Sequence, residues 1–101
     1  MFVLYGNAEL FLPYCASLKE KRSYIQSITA RIRKRFNVSI IEAAYHDLWQ
    51  RSMLGFAAVC SSNAEAEHIL KAILEIIGQH EDNCELIDFN NEIIKQPLSA
   101  K

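Results

Sequence analysis

Seven basic side chains stand between residues 17 and 36, and three of them sit where a helix does not favour them. Lys19, Lys21 and Arg22 occupy "SLKEKRS", the expected first turn of a helix; Arg31, Arg33, Lys34 and Arg35 follow near its end. A helix macrodipole is positive at its start, so the first three oppose it. The last four complement it, at about 0.3–1 kcal/mol each when exposed. Free N–H groups at a helix start, joined by Lys and Arg, form a site for phosphate or carboxylate. Two partners fit the N-terminal trio. One is an outside anion; the other is a carboxylate of the same fold, from Glu20 or the last strand. Lys21 falls on the core-facing side of the helical wheel, so its stem must snorkel along the sheet edge. Together the seven cations could contact phosphates, which supply the sequence-independent part of nucleic-acid affinity.

The overall net charge of −1 hides this asymmetry. Residues 17–36 carry a balance of +6 and the remainder of the chain −7. Such a separation bears on partners through local fields. At 101 residues, half of them hydrophobic, the chain suits one domain with one core. No run approaches the ~18 apolar residues of a membrane span. "MFVLYGNAELFLP" has no basic leader and carries Glu9 in its middle, so it reads as a first strand, not a secretory signal. Cys15, Cys60 and Cys84 are odd in number and widely spaced, which suits small buried hydrophobes and neither a disulfide framework nor a zinc site. The expected location is cytoplasmic.

Other constellations carry less chemistry. "YHDLWQR" (residues 45–51) places His46 beside Asp47, but no second His or Cys stands at ligand spacing. The expected arrangement is a turn stabilised by the Asp47 side chain, with Trp49 packed over it. An exposed Trp49 beside Arg51 would instead be a second interface candidate. "SMLGFAAV" matches an RNA-recognition signature only at Gly55 and Phe56, and reads as an ordinary buried strand. No serine or cysteine nucleophile sits in a recognisable elbow. Acylphosphatase chemistry needs a phosphate-cradling loop with a basic residue after the first strand, and "LPYCAS" has neither glycine nor arginine. These residues point to a binding module, not an enzyme, with no metal and no cofactor.

The elements that must position these residues follow from periodicity. Phe2 to Leu12 alternates as a half-buried strand, and Pro13 ends it. Ser17 and Glu20 form an S-x-x-E capping box, after which Leu18, Ile25, Ile28, Ile32 and Phe36 recur at helical spacing up to Asn37. "VSIIEAAY" and "SMLGFAAVCS" are β-rich runs separated by the polar turn at His46-Asp47. Ser62 and Glu65 open a second helix striped by Ala66, Ile69, Leu70, Ile73, Ile76 and Ile77, with Gly78 as a stop. "CELIDFNNEII" is a last strand. The order β-α-β-β-α-β predicts an α+β, ferredoxin-like fold, with a four-stranded antiparallel sheet and two helices on one face. The domain is expected over residues 1–96, followed by a short tail at 97–101. On the helix-free face Val3, Tyr5 and Phe11 would be open, a surface type that often marks an interface.

"SLKEKRS", "RFNVS" (residues 35–39), Glu42, "DLWQR" (residues 47–51) and "LGFAAV" (residues 54–59) together resemble the YlxP-like family of small bacterial proteins, over roughly residues 1–94. "PYCAS" and "AAYHD" are looser matches. The resemblance implies a ferredoxin-like fold. It implies no catalytic residues, because none are established for the family. Members commonly occur beside genes of transcription elongation, translation initiation and ribosome maturation, which suggests work on RNA or the ribosome. The leading expectation is thus an RNA- or ribosome-associated binding protein. Its phosphate-facing residues would be Lys19, Lys21, Arg22, Arg31, Arg33, Lys34 and Arg35. The second is a homodimer or other protein–protein module associating through the open sheet face.

Overall fold

The computed structural model describes residues 1–80 and 82–99. Its elements are β1 (Phe2–Phe11), α1 (Leu18–Arg35), β2 (Ser39–Ala44), β3 (Arg51–Cys60), α2 (Asn63–Gly78) and β4 (Glu85–Lys95). All strand pairs are antiparallel, in the order β2-β3-β1-β4. This is the ferredoxin-like arrangement that the element order predicts.

The strands carry their apolar residues at period two, so one face alone is fit to be covered. Leu4, Ala8 and Leu10 of β1 and Leu54, Phe56 and Ala58 of β3 are buried towards the helices. Ile25, Ile28 and Ile32 of α1 meet them, as do Ile69, Ile73, Ile76 and Ile77 of α2. Each of these Leu, Ile and Phe side chains contributes about 1.5–3 kcal/mol on burial. Gly6 occupies an inward position on β1, and a Cβ there would collide with the Asn90 carbonyl oxygen and lie 2.8 Å from Phe56 Cζ. Its missing side chain is what lets the Phe56 ring lie across β1 and stack on Phe89 of β4, with centroids 5.7 Å apart.

Both helix starts are capped by serine. Ser17 Oγ accepts from the Glu20 amide and Ser62 Oγ from the Glu65 amide, each at 3.1 Å. The glutamates reach back one residue further than a reciprocal box requires: Glu20 accepts from the Ala16 amide and Glu65 from the Ser61 amide. Gly78 is the last residue of α2 and the cap is Gln79 in a right-handed conformation, so this stop does not use glycine's left-handed freedom. After β4, residues 97–99 have no regular structure; residues 100 and 101 of the expected tail lie outside the described residues. No helix among the described residues is long and apolar enough to cross a membrane.

Candidate functional site

Lys21 sits one turn into α1, on the side facing the sheet, and is completely buried. Its ammonium donates to the carbonyl oxygens of Tyr45 (2.7 Å), Arg51 (3.1 Å) and His46 (3.3 Å). Glu42 Oε2 lies 3.1 Å away and also accepts from Ser52 Oγ at 2.6 Å. Three ammonium protons thus face four acceptors, all within the fold. The β2–β3 connection is shaped to deliver those carbonyls. Tyr45 takes a left-handed conformation (φ 64°), uncommon for a bulky side chain, and turns its carbonyl onto Nζ.

Lys21 is therefore removed from the anion-binding set, because its charge never reaches solvent. The compensating carboxylate is Glu42 of β2, neither Glu20 nor an acid of the last strand. Glu20 is spent on the cap. Sequence reasoning quoted Glu42 only within the family resemblance. The wheel position of Lys21 marked a partner as necessary, but pairing Glu42 with it required the β2–β3 register. The expected turn is corrected as well. The bend is pinned by Lys21, with Leu48 N donating to the Tyr45 carbonyl, and Trp49 is 53 % exposed instead of packed over Asp47.

The other six cations of α1 are exposed. Arg33 donates to the Ile40 carbonyl at 2.6 Å, and Arg31 donates to Gln79 Oε1 on the cap of α2. The Arg35 guanidinium lies 5.3 Å from the Phe36 ring centroid. Lys19, Arg22 and Lys34 make no side-chain hydrogen bond or ion pair among the described residues. The ion pairs there are Lys21–Glu42 and a looser Arg51–Glu9 contact at 3.7 Å, so none of the six exposed cations is paired with a carboxylate. Arg22, Gln26, Thr29 and Arg33 follow one flank of the helix, and with Ile41 and Glu42 they line a shallow groove of about 330 Å³ beside β2. At 1.5 Å per residue Arg22 and Arg33 are about 16 Å apart along the axis, a span of several phosphates.

At the hairpin end, Trp49, Leu48, Phe11 and Arg51 line a second groove of about 520 Å³. The Arg51 guanidinium lies 5.9 Å from the Tyr45 ring centroid, and Tyr45 Oη donates to Glu9. The three cysteines are free thiols. Burial pushes Cys84 up to about 11, with the nearby Cys15 adding to it, and raises Cys15 and Cys60, so the thiols stay protonated at neutral pH.

A family model described as "Protein of unknown function (DUF503)" matches residues 3–91. The chain is similar to the uncharacterized protein YlxP of Bacillus subtilis (strain 168), 41 % identical over 73 residues, which cover 72 % of this chain and 79 % of that protein. Two solved structures are similar in fold. The de novo designed protein Foldit4 has a TM-score of 0.58 at 12 % identity, covering 96 % of this chain and 100 % of its own. The de novo designed ferredoxin-fold protein LFR1 has a TM-score of 0.53 at 14 % identity, covering 100 % of this chain and 92 % of its own.

Proposed function

The chain belongs to the DUF503 family, and from that premise we propose that it is a non-enzymatic RNA-binding module whose phosphate-facing surface is α1. One observation carries the reading: six exposed cations lie on one helix, and none of them is paired with a carboxylate among the described residues. Charges left in this state attract phosphates and release counterions on binding. Lys19, Arg22, Arg33 and Lys34 form the exposed track along the outer and β2-facing sides. Arg31 and Arg35 lie on the α2-facing side. The genomic company implied by the family resemblance, genes for ribosome maturation and translation, agrees with this chemistry.

The test is fluorescence anisotropy with a labelled 24-nucleotide RNA stem-loop between 50 and 200 mM salt. Three to six phosphate contacts on a duplex predict a loss of affinity between about 40-fold and about 2,000-fold over that range. Arg22→Glu combined with Arg33→Glu should abolish binding while leaving the fold intact, since both side chains are exposed. Binding that ignores the salt or survives the double reversal refutes the reading. Ribosomal particles are the corresponding cellular partner, with co-sedimentation at low salt and release at high salt.

A further inference from the structure

The helix-free face of the sheet has a chemistry opposite to that of α1. The register places Tyr5 beside Glu92, Asn7 beside Asn90 and Glu9 beside Asp88, and side-chain hydrogen bonds from Tyr5 to Glu92 and from Asn90 to Asp88 show these side chains on one face. Glu85, opposite Phe11, extends the row. Four carboxylates, Glu9, Glu85, Asp88 and Glu92, thus run along β1 and β4. Among the described residues, Arg51 is paired with this row, beside Glu9. The same face carries apolar side chains that a lone domain gains nothing by exposing: Val59 at 67 %, Ile41 at 60 %, Ile94 at 44 % and Tyr5 at 41 %. At its hairpin end lies the groove lined by Phe11, Trp49 and Arg51, and Trp and Arg are among the side chains enriched at energetic centres of interfaces.

We infer that this face docks a cationic, amphipathic segment of a partner protein, with apolar side chains seated on Val59, Ile94 and Trp49 and Lys or Arg side chains facing Glu92, Asp88 and Glu85. Charge complementarity selects that occupant over the alternatives. RNA is repelled by the carboxylate row. A second copy applied through the same face about a twofold axis would bring two such rows into one interface. A second copy applied through α1 supplies cations but no apolar anchors, because the large apolar side chains of α1 are directed into its own core. An occupant must offer both chemistries at once. The inference does not rest on the RNA-binding reading, since it concerns the opposite side of the sheet.

The test uses a 20-residue amphipathic helical peptide of leucine and lysine, its glutamate-for-lysine counterpart, and the 24-nucleotide RNA stem-loop. Trp49, the single tryptophan of the chain, reports binding by fluorescence, and amide chemical shifts of the 15N-labelled protein locate it. The lysine peptide should shift the amides of Tyr5, Val59 and Ile94 and move Trp49 emission to the blue; the glutamate peptide should do neither. Asp88→Lys with Glu92→Lys should weaken the lysine peptide at least tenfold, while Arg22→Glu with Arg33→Glu should leave it unchanged. Shifts confined to the helices, equal binding of both peptides, or insensitivity to the β4 reversals would overturn the inference. So would RNA shifting the same face. A dimer by light scattering at tens of micromolar whose contacts map to this face would name a second copy as the occupant and likewise overturn it. The shift map on the unmodified protein decides the matter even if the β4 variant fails to fold.

Discussion

Replacing Lys21 with methionine isolates what the buried ammonium does. The new side chain fills a similar volume but leaves Glu42 without its cation and the His46 and Arg51 carbonyls without the ammonium, while the Tyr45 carbonyl keeps the Leu48 amide. Breaking a buried pair from one side costs about 3–5 kcal/mol, because the remaining charge stays desolvated. Ser52 still donates to Glu42, so the lower part of that range is expected. A domain of this length has only about 5–15 kcal/mol in total. With a urea m-value of about 1.5 kcal/mol/M, the unfolding midpoint should fall by about 2 M. Trp49 fluorescence and far-UV circular dichroism would follow the transition, the first reporting the hairpin and the second the whole fold. Adding Glu42→Leu should recover part of the loss, since it removes the stranded carboxylate but not the stranded carbonyls, and the resulting cycle measures the coupling. Because the ammonium never faces solvent, folded Lys21→Met should keep the full salt dependence of RNA binding, whereas losing a true phosphate contact lowers that slope by about one. A destabilisation below about 1 kcal/mol, or a lowered salt slope, refutes the assignment of Lys21 as an internal strut.

Two further outcomes follow from packing and titration. Gly6→Ala should destabilise by about 1–3 kcal/mol, as an overpacked site with backbone on one side and the Phe56 ring on the other; a change within 0.5 kcal/mol in urea would contradict the close approach. Stability should also fall as pH rises from about 9 to about 12. Burial lifts the Cys84 thiol from 9.0 to about 11 and the Tyr24 hydroxyl from 10.0 to about 12, Tyr24 being raised further by the two neighbouring cysteines. In that window the folded chain holds protons that the unfolded chain has released, so each unit of pH favours unfolding. Cys84→Ala should flatten the decline between pH 9 and 11 in urea titrations, and an unchanged profile would refute the role of that thiol.

Much of the fold was readable because it rests on local rules. Apolar residues at period two or 3.6 mark which face of each element is buried, and Ser17 and Ser62 mark where the helices begin. The six exposed cations were equally visible, since nothing in the sequence could hide Arg22 or Lys34 in a core. The wheel even showed that Lys21 pointed inward. What one helix cannot show is which strand supplies the partner. Glu42 is twenty-one residues away from Lys21, and its reach depends on β2 pairing with β3 and on the left-handed Tyr45. The exposed position of Trp49 was misread for the same reason. A turn built by Asp47 would draw the indole inward, while a turn built around a lysine from another element leaves it outside.

The sequence by itself therefore determined the elements, the buried stripes and the concentration of positive charge on α1, because these follow from side-chain type and spacing within one segment. Only the tertiary structure decided that Lys21 is neutralised within the fold, while its six neighbours on α1 pair with no carboxylate among the described residues. It also decided that the acids of β1 and β4 line up on the face opposite the helices. The physical reason is common to all three. An ion pair or a charged row depends on distances of about 3–5 Å between segments far apart in the chain, and those distances are set by strand register and sheet order.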